Sequence, residues 1–247
     1  MGCDAFAALA ITEPFIHYYA MARVAAPNRV GDIVDAALDV FGRMGFSRAQ
    51  MSDVAEAAGV SVGTLYNYVE GKEALLLLCA LYAFDPEAAT TGSLPLNVES
   101  RKSFLTKLRR SLAAVAVLPS LEAALARKSA PSDVAAECAE IIGDIFDRIA
   151  LLRRGYDALE RSARDIPDVA ALFYDDVRVT TFDSLARYVE RRAPDLDARV
   201  TARWAIESVT WMARHRHGDP DGHRMDDASV RATTVELITR AITGGSA

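Results

Sequence analysis

The chain has little cysteine, and what it has is scattered. Cys3, Cys79 and Cys138 are odd in number and form no CxxC pair, which fits a reducing compartment rather than a disulfide scaffold. No apolar run approaches the roughly 18 residues a membrane span needs. The opening Met1-Gly2-Cys3-Asp4 lacks the cationic stretch of a secretory signal, and Phe6 stands where an N-myristoylation motif needs Ser or Thr. These absences predict a cytoplasmic chain with no membrane partner. There is also no nucleophile elbow, no phosphate-cradling glycine loop and no HExxH, so no catalytic residue is expected. His215, His217 and His223 lie near Asp219 and Asp221, but His215 and His217 are two apart and do not share a helix face. Neither a metal site nor a cofactor is expected. Basic charge is not in excess: 28 Lys and Arg face 34 Asp and Glu, a net charge of −6. That balance runs against the usual electrostatic footprint of a nucleic-acid-binding protein.

What is present points to an all-α protein. Apolar residues make up 51% of 247 positions, enough to bury a sizeable core. Strand-forming runs are few, and Pro and Gly fall between periodic segments. Residues 1–28 have no clear period. From Arg29, the residues Val30, Ile33, Ala37, Val40, Phe41 and Met44 recur every three or four positions, with Asp32, Asp35 and Asp39 opposite. This predicts an amphipathic helix ended by Gly45. Ser47-Arg48-Ala49-Gln50 reads as a capping box for a second helix, with Ser47 accepting from the Gln50 N–H and the Gln50 amide reaching back. That helix buries Met51, Val54, Ala55 and Ala58. Gly59 closes it, Ser61 caps a third, and Val62 to Tyr68 forms that short helix. Two short helices joined by a tight Ala58-Gly59-Val60-Ser61 turn are the signature of a helix-turn-helix.

Ala74 to Phe84 is apolar on every face, so it should lie between layers. Residues 85–96 read as a loop. Helices are predicted at about 98–117, 120–128, 132–164 (broken near Gly143 or Gly155), 168–192, 196–215 and 227–242. Residues 216–225 read as a polar loop.

The run from Val54 to Leu75, VAEAAGVSVGTLYNYVEGKEAL, closely resembles the DNA-binding head of the TetR family of transcriptional regulators, and the likeness spans residues 30–76. It implies an N-terminal three-helix head followed by a helical bundle that binds an effector and dimerises. On that basis 1–28 is an extension, 29–74 the DNA-binding domain (helix-turn-helix at 50–69) and 75–247 the effector-binding and dimerisation domain. The implied function is a ligand-responsive regulator, a repressor that binds a palindromic operator in double-stranded DNA as a homodimer and is released by a small molecule.

The expected DNA-contacting residues are Gln50, Val62, Gly63, Thr64, Tyr66, Asn67, Tyr68 and Lys72. Gly63 has no side chain to hold its helix off the groove. Thr64 offers a hydroxyl to phosphate and a methyl to thymine. Tyr66 and Tyr68 reach for the backbone or cap the small core, and Asn67 reads a base edge or is simply solvated. Lys72 places a point charge near phosphate, and Gln50 presents the start of its helix. The chain departs from the family pattern at Ala49 and Gln50, where Thr and then Ser or Thr are usual, at Val69 in place of Phe, and at Gly71 in place of Ser. Farther on, the resemblance places an effector pocket among the aromatics, with Phe146, Phe173, Phe182 and Trp204 as candidates unless they are ordinary core. It places the dimer interface on the last two helices, with Trp211, His215, Val230 and Leu237.

Two observations leave alternatives open. Residues 21–84 carry five bases against seven acids, a net −2, and an acidic head binds DNA weakly without specific contacts. A helical dimer whose head does not bind DNA therefore stands as a rival, and a helical enzyme using His215 or His217 as a weaker one. Residues 1–20 contain no Lys or Arg but carry Asp4 and Glu13, whereas Met21 to Arg29 resembles a short basic arm. The expectation is that translation starts at Met21 or that residues 1–20 are dispensable and poorly ordered; an extra packed helix is the alternative.

Overall fold

The computed structural model describes residues 29–84, 86–91 and 93–244; the expected extension and the proposed start at Met21 lie outside them. Among the described residues all regular structure is helical, and the one strand-like pairing is a bridge between Val69 and Leu96.

Helix α1 (Arg29–Met44) forms on the predicted pattern. It buries Val30, Ile33, Val34, Ala37, Val40 and Phe41, and leaves Asp32, Asp35 and Asp39 outside. Helix α2 (Met51–Ala57) begins one turn later than the Ser47 capping box implies. Its N-cap is Gln50, whose N–H donates to the Asp53 carboxylate at 2.8 Å. The Ser47 N–H instead donates to Asp165, 3.0 Å away. A carboxylate three residues past the cap, plus a distant acceptor for Ser47, outcompetes the local Ser–Gln exchange.

The α2 terminus closes as a Schellman motif. Gly59 N–H donates to Glu56 O at 3.1 Å and Val60 N–H to Ala55 O at 2.9 Å. Gly59 has φ +64, a left-handed conformation that glycine adopts without Cβ strain. Ser61 then caps α3 (Val62–Tyr66), accepting from Thr64 N–H at 3.0 Å. This helix is two residues shorter than predicted. Asn67 is its C-cap, and residues 68–70 turn away to pair with Leu96 through Leu96 N–H to Tyr68 O (2.8 Å) and Glu70 N–H to Leu96 O (3.0 Å).

Helix α4 (Lys72–Phe84) is apolar all round, as read, and its Leu75, Leu76, Leu77 and Leu78 are fully buried. The expected loop 85–96 contains a short helix α5 (Pro86–Thr91). Then follow α6 (Arg101–Ala116), α7 (Pro119–Ala126), α8 (Val134–Leu151) and α9 (Arg153–Ala163). The predicted break in 132–164 falls at Leu152, near Gly155 and not at Gly143. Helix α10 (Pro167–Ala170) runs into a wide π-helical stretch, Ala171–Arg178, and on into α11 (Val179–Arg192). Helices α12 (Ala198–Ala213) and α13 (Asp227–Thr243) end the fold.

Two cores result. The first joins α1–α4 to α6, α9 and the π-helical stretch, so the proposed boundary at residue 74 falls inside one continuous apolar cluster. The second lies among α7, α8, α11, α12 and α13. The segment 216–225 is not a bare polar loop. Two 3-10 turns, His215–Gly218 and Gly222–Arg224, wrap the buried Arg216, which donates to Met212 O at 2.7 Å and Gly222 O at 3.2 Å and pairs with Asp227. A guanidinium has enough donors to satisfy several carbonyls at once, which is why a charged residue is buried there.

Candidate nucleic-acid interface and effector cavity

Helix α3 is held by one fully buried anchor, Leu65, while Val62, Gly63, Tyr66 and Asn67 stand exposed. Tyr66 is 46% exposed and Val62 is 40% exposed, unusual for large apolar residues with a core beside them. A Cβ at Gly63 would meet only Ser61 Oγ, at 3.8 Å, so nothing within the chain requires glycine there. Gln50 is exposed next to this face. Ala49 is fully buried, so its methyl belongs to the core and only Gln50 of that departing pair looks outward.

The other expected contacts are engaged inside the head. Thr64 Oγ1 is 2.8 Å from Ser61 Oγ, within the cap itself. Tyr68 is half-buried against the first core, the alternative fate read for it. Lys72 donates from Nζ to Phe46 O at 2.8 Å and Ser47 O at 3.3 Å, with the Phe46 ring centroid 4.8 Å away. Its ammonium thus ties the start of α4 to the α1–α2 turn. An ammonium has three protons, so a phosphate would share it with these carbonyls.

Two acids of α1, Asp35 and Asp39, face the body. Arg154 of α9 donates to Asp35 Oδ1 at 2.6 Å and reaches Asp39 at 2.8 Å, and it also donates to the Asp35 carbonyl. Burial alone would lower the Arg154 pKa, but the two carboxylates outweigh it and the net shift is upward. One of the two negative charges on Asp35 and Asp39 is therefore offset from outside the head, on a face that belongs to the head–body seam.

Behind the seam lies a cavity of about 250 Å³ between α8, α9, the π-helical stretch, α12 and the α6–α7 junction. Its apolar wall includes Leu118, Ile145, Ile149, Phe173, Val177 and Ile206; its polar wall carries Arg148, Tyr156, Glu160, Arg178, Glu207, Thr210 and Arg214. Arg178 pairs with Glu207, and Arg214 pairs with Asp157 (2.6 Å) and Glu160. Burial lowers the Arg148 pKa and raises that of Tyr156.

Of the four aromatics expected in the pocket, only Phe173 lines this cavity. Phe146 is buried in the second core. Phe182 lies near two guanidiniums, Arg203 at 4.7 Å and Arg178 at 5.6 Å from its centroid. Trp204 is 48% exposed on the outer face of α12. Aromatic content is a poor guide to a cavity because the same residues fill cores and interfaces. The missed residues had a readable signal: Arg148 falls on the same apolar stripe as Ile145 and Ile149, and Glu207 adjoins buried Ile206.

The expected dimer residues also divide. Trp211 and Leu237 are exposed, together with Val200 and Trp204 on the same pair of helices. Val230 is buried within the protomer, in the second core, so it presents no surface. His215 is exposed at the cavity rim. Among the described residues no group of three or more His, Cys, Asp or Glu is placed to hold a metal ion, and no helix is long and apolar enough to cross a membrane.

Parts of the chain are similar to known proteins. Residues 33–79 match the family model described as bacterial regulatory proteins, tetR family. A 45-residue stretch is 42% identical to the fatty acid metabolism regulator protein of Bacillus subtilis (strain 168), covering 18% of this chain and 23% of that relative's length. The fold is similar to that of the fatty acid degradation regulator FadR from Bacillus halodurans, with a TM-score of 0.50 and 16% identity over 90% of this chain and 97% of that one. A TetR-like transcriptional regulator from Rhodococcus sp. RHA1 aligns with a TM-score of 0.49 and 16% identity, over 90% and 100% of the two chains. The helix-turn-helix lies inside the matched segment, so residues 33–79 are similar to the DNA-binding head of bacterial regulatory proteins of the tetR family.

Proposed function

We propose that this protein is a ligand-responsive repressor, with residues 29–74 as its DNA-binding domain and 75–247 as its effector and dimerisation domain. It binds a palindromic operator as a homodimer and is released by a small molecule. The observation that carries the reading is the outer face of α3: one buried leucine holds the helix while Val62, Gly63, Tyr66 and Asn67 are left outside. Such a face fits a major groove, where Tyr66 meets phosphate, Val62 a thymine methyl and Asn67 a base edge. Gln50 adds its side chain and the first N–H groups of α2. Thr64, Tyr68 and Lys72 support the contact from the rim.

The exposed Val200, Trp204, Trp211 and Leu237 give α12 and α13 an apolar face suited to pairing with its own copy. Two recognition helices related by a two-fold axis then match an inverted repeat. The acidic head is compatible with this, since Asp35 and Asp39 lie away from α3 and share the Arg154 guanidinium, which offsets one of their two charges. Helix α9 touches both ends of the proposed switch. Arg154 clasps α1, while Tyr156 and Glu160 line the cavity. A ligand that binds one position of α9 better than the other shifts the head between two populations. A protein acting on the chromosome in this way works in the cytoplasm.

The test is selection of DNA from a random-sequence pool by the full chain. The expected result is enrichment of an inverted repeat bound by two copies. Failure to enrich any sequence would favour the rival helical dimer whose head does not bind DNA.

A further inference from the structure

Helix α9 lies along α1 and runs in the same direction. Arg154 meets Asp35 and Asp39. Asp157 stands against Gly42, where an added Cβ would be 3.8 Å from the Asp157 Cβ, and Arg161 stands against Gly45, where it would be 3.4 Å from the Arg161 Cγ. Asp165, just past α9, accepts the Ser47 N–H at 3.0 Å. Arg154, Asp157, Arg161 and Arg164 recur at spacings of three and four, so they share the stripe that faces α1. That stripe ends at the turn through which the chain enters the helix-turn-helix. Its charges are unevenly committed. Arg154 holds Asp35 with Asp39, and Arg214 holds Asp157 with Glu160. Among the described residues Arg161 and Arg164 make no ion pair, and neither does Arg48, whose Nε donates to Met44 O at 2.9 Å. The carboxylates at the turn, Asp165 and Asp53, each already accept a backbone N–H, from Ser47 and Gln50. Arg48 and Arg164 are exposed, and each lies one residue from the Ser47–Asp165 bond, so their side chains start from neighbouring backbone.

We propose that Arg161 and Arg164, which belong to the body and not to the head, are DNA contacts: with Arg48 they hold the phosphate backbone beside the groove that α3 enters. This rests on reading α3 as the DNA-facing helix. Gln50, three residues past Ser47, is exposed next to the α3 face, so a strand that passes Gln50 comes to this turn. A guanidinium without a carboxylate partner is suited to phosphate, which it can meet with two parallel N–H groups. Residues 21–84 carry five bases against seven acids, so cations from α9 supply part of what the head lacks for a polyanion. The arrangement also bears on release. Helix α9 lines the cavity with Tyr156 and Glu160, so a shift of α9 withdraws its phosphate contacts directly, besides re-aiming the head.

The test removes these charges one at a time. DNA selected by the full chain is titrated by fluorescence anisotropy over a range of salt with Arg161→Gln, Arg164→Gln, the two together, and Arg187→Gln. Arg187 is exposed on α11, beside the second core and away from the head, and controls for the loss of one charge. Each lost contact should make log K less steep in log salt by about 0.9 per subunit, or about 1.8 for a dimer. The double variant is expected to bind at least tenfold more weakly at low salt. It should keep its melting temperature, since neither guanidinium makes an ion pair within the protein. Arg187→Gln should bind as the unaltered chain does. Unchanged affinity and slope in the double variant would overturn the proposal. So would weaker binding at an unchanged slope, which marks a role in placing the head rather than in holding phosphate. Should Arg161→Gln not fold, Arg164→Gln, at the exposed end of the stripe, decides by itself. If Gly63→Leu and Tyr66→Ala weaken binding while the arginine variants do not, the DNA reading stands and this proposal falls. If the full chain selects no DNA, both fall.

Discussion

Arg154 of α9 places its Nη1 2.6 Å from Asp35 Oδ1 on α1, and the same guanidinium reaches Asp39 at 2.8 Å. One side chain of the body thus holds two acids of the head. Arg154→Met should loosen that seam. The loss is limited by solvent screening, because both aspartates are more than 60% exposed, and should be about 1 kcal/mol. A double-mutant cycle with Asp35→Asn by urea unfolding would measure the pair. Amides of α1 should exchange faster in Arg154→Met, while those of α13 stay as they were.

Lys72 donates to two carbonyls of the α1–α2 turn. Lys72→Ala should therefore cost stability, about 1.5–3 kcal/mol for charge-assisted bonds left unmade, besides any effect on DNA. Thermal melts of the variant without DNA would show it, and an unshifted melting temperature would return Lys72 to a purely phosphate-binding role.

Much of this architecture can be read in the sequence. The α1 stripe, the Gly59 turn, the Ser61 cap and the all-apolar α4 are local patterns, and each is set by contacts within a few residues. What could not be read depends on partners outside the local helix pattern, some of them far along the chain. Ser47 leaves its local box because Asp165, 118 residues away, accepts its N–H. Arg216 reads as a loop residue until Met212, Gly222 and Asp227 close around it. The cavity shares only Phe173 with the expected aromatics because charged residues, not rings, form most of its polar wall. Trp204 and Trp211 look alike as core or interface residues until their exposure is known.

Gly222 shows how tightly the Arg216 turn is closed. A Cβ at this position would stand 1.7 Å from the Arg216 carbonyl oxygen, a backbone clash no rotamer relieves. Gly222→Ala should force the turn open and strip a buried guanidinium of an acceptor, a loss of more than about 2 kcal/mol. Denaturant unfolding would measure it, with a change under about 0.5 kcal/mol contradicting the geometry.

The buried thiols give a prediction in pH. Burial pushes the Cys79 thiol up to about 12 and Cys138 up to about 11, from an ordinary 9.0. Both should resist N-ethylmaleimide in the native protein at pH 8, as peptide mapping would show, because the thiolate is the reactive form. With folded values raised, the native state holds its thiol protons after the unfolded chain has lost them. Stability is thus intact below pH 9 and declines as pH rises through 9 toward 11–12. Denaturant midpoints between pH 8 and 10.5 should fall, and less so in Cys79→Ala with Cys138→Ala relative to its own midpoint at pH 8.

The apolar faces of α12 and α13 should be covered in solution. Trp211→Glu and Leu237→Glu, both at exposed positions, should yield folded monomers by sedimentation at concentrations where the unaltered chain is a dimer. Dimers unchanged in both variants would move the interface elsewhere.

The central claim is that α3 enters DNA, and Gly63 tests it most directly. The protein itself leaves room for a side chain there, and leucine in a helix is favoured over glycine by about 0.5–1 kcal/mol. Operator affinity of Gly63→Leu should be measured by fluorescence anisotropy, alongside Tyr66→Ala, across a range of salt on DNA selected by the unaltered chain. The account predicts at least tenfold weaker binding by each variant, with the melting temperature of Gly63→Leu unchanged or higher. Gly63→Leu and Tyr66→Ala that bind the operator as tightly as the unaltered chain, with the same salt dependence, would contradict it.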